Sequence, residues 1–122
     1  MNVKRIHPYV ESADPDVARE FYVGVFGLKV AMQQPVVGLC SPQVPSAQLI
    51  ITPQGTGTPR ADFGIDVGDG AGVDVAHERA LAMGMRIVYP VTDEPWGVRR
   101  FFVEDPDGRI VNVLAHLQRK AT

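Results

Sequence analysis

The chain has 122 residues, 45% of them apolar and 21% charged, with a formal net charge of −2. That length supports one domain with a real core, and a near-neutral balance without a basic run excludes an electrostatic nucleic-acid surface. The single cysteine, Cys40, excludes an internal disulfide and predicts a reducing, cytoplasmic setting, and no apolar run has the length of a signal or membrane segment.

The first predicted element is the alternating stretch KRIHPYVE, closed by SADPD. Asp14 suits a helix N-cap with Pro15 at the first helical position. The helix then reads DVAREFYVGVF, with Val17, Phe21 and Val25 at helical spacing and Gly27 as a left-handed terminator. LKVAMQQ resumes as a strand, and VVGLC and SAQLIIT follow as two shorter ones. The Gly-, Pro- and Thr-rich stretch around residues 55–60 reads as a linker between modules spanning 1–54 and 61–122. The order then repeats: a strand in DFGIDV, a turn in GDGAG, and a helix in VDVAHERALAMG. Strands in MRIVYPV, VRRFFVE and RIVNVLAH complete the second module, the last two joined by a DPDG turn. Phe26-Gly27-Leu28-Lys29-Val30 lines up with Met83-Gly84-Met85-Arg86-Ile87, as a tandem duplication predicts.

Strand parity sorts the side chains. Ile6, Pro8 and Val10 oppose Arg5, His7, Tyr9 and Glu11, while Ala47, Leu49 and Ile51 oppose Gln48, Ile50 and Thr52. Phe63, Ile65 and Val67 oppose Asp62, Gly64 and Asp66, and Val111, Val113 and Ala115 oppose Ile110, Asn112, Leu114 and His116. Each strand therefore has an apolar face for a helix to cover and a mixed face. Bulky aliphatics among the mixed positions predict a partly enclosed cavity rather than a solvated surface. Phe101 and Phe102 must divide between core and cavity, and parity alone does not say which. His77 reads as a surface residue, His116 as a frayed strand end, and Trp96 as a rim or lid residue on a mobile-looking loop.

The segments AREFYVGVFGLKV, VDVAHERALAMGMRIVYP and PWGVRRFFVEDPDGRIVNVL resemble the vicinal oxygen chelate superfamily of glyoxalases, bleomycin-resistance proteins and extradiol dioxygenases. The resemblance implies an α+β fold: tandem βαβββ modules with curled mixed sheets forming a cleft, helices on the outer face, and a homodimer. It also implies four metal-ligand positions, which fall here on His7, Gln48, Asp62 and Asn112. Only His7 is of the expected type, because Asp62 stands where a second His is usual and Asn112 where a Glu is usual. A neutral amide is a weak ligand, so no cofactor is expected beyond a weak divalent-metal site on these four, and the dioxygenase triad of two His and one carboxylate cannot be assembled.

The expectation is therefore a metal-independent small-molecule-binding protein. It holds an amphipathic or cationic ligand in an acidic cleft lined by Tyr9, Glu11, Gln48, Asp66, Trp96, Arg99 and Asn112, with Arg5, and Arg99 or Arg100, as candidate partners for some of its carboxylates. The alternative is a glyoxalase-type lyase or isomerase, metal-dependent or metal-free, with His7 and Asp62, or His7 and Glu11, as its acid–base pair.

Overall fold

A computed structural model describes residues 1–55 and 60–117; most of the expected linker and the polar end of the chain lie outside the described residues. The described residues group into two compact units. One takes in those of Ile6–Thr58, the other Met1–Arg5 with those of Pro59–Thr122. We refer to them as the N-terminal and C-terminal units.

The N-terminal unit contains β1 (Arg5–Ser12) from Ile6 onward, α1 (Pro15–Phe26), β2 (Lys29–Met32), β3 (Val37–Cys40) and β4 (Gln48–Pro53). β2, β3 and β4 run antiparallel in that order, and β1 closes the set by pairing parallel to β4. The Asp14 carboxylate accepts the Val17 N–H at 3.3 Å, and Gly27 ends α1 at φ 69°. Both cap α1 as its sequence predicts. Val37, Leu39 and Ile51 form the core with Ala18, Tyr22 and Val23 of α1. The residues that hold the helix are thus not Val17, Phe21 and Val25, which stay exposed. α1 packs over β3 and β4, which leaves the expected apolar face of β1 uncovered: Ile6 is 60% exposed, while His7 beside it is 2% exposed.

The C-terminal unit repeats the plan with β5 (Phe63–Asp66), α2 (Gly70–Ala82), β6 (Ile87–Glu94), β7 (Val98–Glu104) and β8 (Ile110–His116). β6, β7 and β8 are antiparallel, and β5 pairs parallel to β8. The first strand of each unit thus pairs parallel to its fourth, the topology expected of two βαβββ modules. α2 begins earlier than its apolar pattern suggests, because the Asp69 carboxylate accepts the Gly72 N–H at 2.7 Å and draws GAG into the first turn. Val67, Val73, Phe101, Val111, Val113 and Ala115 make the core beneath α2. Phe101, not Phe102, is therefore the helix-side phenylalanine. His77 is not a free surface group: its ring meets Phe101 edge-on at 5.1 Å. The first residues of the chain join this unit through Asn2 N–H to the Val67 carbonyl and Lys4 N–H to that of Asp66.

The turn between β7 and β8 is built on Asp105. Its carboxylate accepts the N–H groups of Asp107 and Arg109, each at 2.9 Å, and Gly108 takes φ 86°. The Arg109 N–H, ahead of that of Asp107 and the Arg109 guanidinium, holds the Asp105 carboxyl below the usual carboxylate range. A carboxyl depressed in the folded state contributes stability above its unfolded value and loses it as pH falls through the folded one. An Asp105→Asn chain should therefore lose stability less steeply on acidification than the parent, read from urea midpoints across the acid range. Identical slopes would show that the turn does not depend on this charge.

No helix among the described residues is long and apolar enough to cross a membrane.

Candidate functional site

With α2 on one face of the C-terminal sheet, the alternate residues of β5, β8, β7 and β6 build the other. Two cross-strand rows organise it. Gly64, Asn112, Phe102 and Tyr89 stand side by side in one, and Asp66, Leu114, Arg100 and Thr92 in the next. Asn112 is 4% exposed, between the small Gly64 and the Phe102 ring. Asp66 is buried and its carboxylate accepts from Arg5 Nε at 3.0 Å and from the Gly68 N–H at 3.0 Å. Arg5 also reaches Nε2 of His116 at 2.9 Å, so His116 is tied into a side-chain chain rather than being a frayed end.

Other expected site residues are engaged elsewhere. Asp62 is exposed just before β5, where its carboxylate accepts the Ile110 N–H at 2.8 Å and its own N–H donates to the Ile110 carbonyl. It clasps the start of β8. Arg99 shares the parity of Phe101 and points to the helix side. It grips Asp93 with two bonds of 2.7 and 3.2 Å and Asp74 of α2 with a third of 3.0 Å. Those bonds hold the Asp93 carboxyl below its usual range and raise the Arg99 guanidinium.

Of Arg99 and Arg100, between which the sequence did not choose as a carboxylate partner, Arg100 is the one on this face. Arg100 places its guanidinium over three rings, with the Cζ atom 5.2 Å from the centroid of Tyr89, 5.3 Å from Trp96 and 5.0 Å from Phe102. Its Nη2 donates to Glu94 at 3.0 Å, and the other oxygen of Glu94 accepts the Tyr89 hydroxyl at 2.9 Å. The pair is largely buried, with 14% of the Arg100 side chain and 8% of the Glu94 side chain exposed. Trp96 sits in the β6–β7 turn at 48% exposure, a rim position. The turn is tight: Gly97 at φ 86° donates to the Glu94 carbonyl, and its own carbonyl accepts the Leu117 N–H at 2.8 Å. The signal available in the sequence was the phase of β7. Once Phe101 is core, Arg100 must share the opposite face with Phe102.

In the N-terminal unit, His7, Tyr9 and Glu11 lie on the face of β1 away from α1. His7 Nε2 shares a 3.1 Å hydrogen bond with the Tyr9 hydroxyl, and the two rings meet edge-on. Tyr9 is half-buried next to Ile50 of β4, and Glu11 is exposed. Gln48 begins β4 half-buried, its amide donating to the Pro45 carbonyl at 3.1 Å.

A family model of the Glyoxalase/Bleomycin resistance protein/Dioxygenase superfamily matches residues 6–113. The chain belongs to this superfamily. No curated protein matches it as a relative. Among solved structures it is similar to a Legionella pneumophila protein named as an NAD-dependent benzaldehyde dehydrogenase, at 18% identity and a TM-score of 0.76, covering 91% of this chain and 98% of the other. It is also similar to methylmalonyl-CoA epimerase from Mycobacterium tuberculosis, at 20% identity and a TM-score of 0.72 over 93% and 89% of the two chains. A glyoxalase/bleomycin resistance protein/dioxygenase superfamily member from Vibrio splendidus matches at 18% identity and a TM-score of 0.62 over 91% and 97%. Likeness at such identities shows the shared fold alone.

Superfamily members often use divalent metals, and the donors present here do not fit one. Of the four expected positions, Asp62 supplies the only carboxylate, and it accepts a backbone N–H. Gln48 and Asn112 are neutral amides, leaving one imidazole. Among the described residues no three His, Cys, Asp or Glu side chains gather into a group able to hold a metal ion.

Proposed function

We propose that this superfamily member binds an amphipathic small molecule and does so without a divalent metal. The observation that carries the reading is the commitment of the carboxylates in the C-terminal unit. Asp66 is paired with Arg5, Glu94 with Arg100 and Tyr89, and Asp62 with the Ile110 N–H. Asp66 and Glu94 already have a cation as partner, and Asp62 is tied to the start of β8. Of the amphipathic and cationic ligands expected from the sequence, this favours the amphipathic, because aromatic and aliphatic surface with internally neutral pairs is suited to uncharged partners.

The test joins two measurements on the chelator-stripped chain. Thermal unfolding against a library of amphipathic small molecules should find at least one that raises the midpoint, as a ligand of the folded state must. Calorimetry with Zn, Ni, Mn and Fe(II) should show no stoichiometric binding at micromolar metal. A library without a stabilising member would sink the binding reading. Tight metal binding lost in His7→Ala would replace it with a metal-dependent lyase or isomerase.

One observation favours the metal-free form of that alternative. His7 is a buried imidazole in contact with a phenol, a pairing able to relay a proton. Turnover of a substrate that His7→Ala abolishes with the fold intact is what this alternative requires.

A further inference from the structure

We infer that the β6–β7 hairpin carries a subsite for a planar, uncharged ring system bearing a carbonyl-type oxygen. Trp96 is its stacking face and Arg100 its hydrogen-bond donor. The inference deepens the binding reading above and rests on it.

Three features on the hairpin lead there. The first is a rigid, exposed aromatic. The Glu94–Gly97 turn is closed by its own hydrogen bond and pinned by Leu117, which fixes the backbone under Trp96, and Arg100 lies against its ring. A large ring held in place and left 48% exposed is a prepared contact surface, because ordering it on binding costs little more entropy.

The second is the hydrogen bonding of Arg100. A guanidinium carries five N–H donors, and among the described residues only Nη2 of Arg100 has an acceptor, Glu94. Nε is buried without a partner. The three rings around the guanidinium offer no oxygen or nitrogen lone pair to its N–H groups. Nη1 has no acceptor among the described residues and is not among the buried unpartnered atoms, so a ligand oxygen can reach it and accept a charge-assisted hydrogen bond.

The third is charge, which selects the kind of oxygen. Arg100 and Glu94 cancel, as do Arg5 and Asp66 on the same face of the sheet. An external cation finds Arg100 already lying over Tyr89, Trp96 and Phe102. An external anion adds an unbalanced charge beside Glu94, and Arg99 offers no relief because it faces the helix side and is bound to Asp93 and Asp74. A neutral acceptor on a flat ring meets neither penalty.

The experiment uses the whole chain and four planar bicyclic probes of similar size: coumarin (neutral, with a carbonyl), indole (neutral, without an acceptor oxygen), N-methylquinolinium (cation) and 2-naphthoate (anion). Affinities come from calorimetry. The chain has one tryptophan, so the single indole N–H cross-peak of Trp96 reports contact at the hairpin directly. Coumarin should bind tightest and shift that cross-peak, with indole about tenfold weaker for want of the charge-assisted hydrogen bond. Arg100→Met should weaken coumarin about tenfold while leaving indole unchanged. Trp96→Ala, in an exposed turn position where the fold is safe, should weaken both. The subsite is overturned if a charged probe binds tighter than coumarin, if coumarin binds without moving the cross-peak, if Trp96→Ala keeps parental affinity, or if none of the four probes binds. The wider library then separates the two readings: a stabilising compound that leaves Trp96 unmoved removes the subsite and keeps the binding function, whereas a library with no such compound removes the function itself.

Discussion

Replacing Glu94 by Ala should lower stability by about 3 kcal/mol, the low end of what breaking a buried ion pair costs, because both side chains keep a little solvent contact. The loss comes from what remains. Arg100 keeps its charge among three rings with its only side-chain acceptor gone, and the Tyr89 hydroxyl loses its acceptor at the same time. Glu94→Gln keeps an oxygen for one of them and should cost about half as much. The double change Glu94→Leu with Arg100→Met should recover most of the loss, since apolar side chains suit that setting. Urea unfolding of the four chains decides the matter; a single mutant within 0.5 kcal/mol of the parent, an ordinary surface value, would mean that the pair is solvated in practice. The same substitution bears on recognition. With Glu94 gone the Arg100 charge is left unbalanced at the subsite, so 2-naphthoate should overtake coumarin in Glu94→Ala.

Phe101→Ala should be at least as damaging, at about 3–5 kcal/mol. Phe101 is 0% exposed and packs in the cluster that joins β5, β7 and β8 to α2. Removing the ring leaves a cavity walled by Val67, Val73 and the valines of β8, with His77 deprived of its edge contact. Against a usual total of about 5–15 kcal/mol, that is a large fraction of what holds the chain folded. Trp96→Ala, an exposed site on the neighbouring turn, should fall within about 1 kcal/mol of the parent. Equal losses at the two positions, measured by urea or thermal unfolding, would contradict the assignment of Phe101 to the core.

How far the chain could be read before its structure follows from the range of the forces involved. Asp14, Pro15 and Gly27 act within one turn of helix, and Asp105 and Gly108 within one tight turn, so their roles were legible from neighbours alone. The alternation of β5 and β8 was legible because one face of each is covered by α2. β1 was harder, since a helix placed over β3 and β4 leaves Ile6 outside whatever its alternation promises. Among the site residues, parity put Asn112, Asp66 and His7 on faces opposite the helices, where they stand. Arg5, and Arg99 or Arg100, were expected to pair with carboxylates of the face, but sequence does not say which pairs form across distant segments. The Arg5–Asp66 bond spans 61 residues and the Asp62–Ile110 bond spans 48, and the first of these offsets part of the acidity expected of the face. The Arg99 and Arg100 roles turned on which phenylalanine was core, a choice made by packing against α2.

The strand order of the C-terminal unit also governs when it can exist. β8 lies inside the sheet, between β5 and β7, although both precede it in sequence. While the chain is being made, residues 63–104 hold a hairpin, a helix and a separate strand with nothing between them. Only when residues 110–116 have left the ribosome can Val111, Val113 and Ala115 fill the space under the helix and join the two parts. Until then two strand edges and an apolar helix face are open to other chains, a condition that invites chaperones or aggregation. A message cut short before that segment would yield a protein half folded at best. The strand that carries Asn112 is thus the one on which completion of the unit waits.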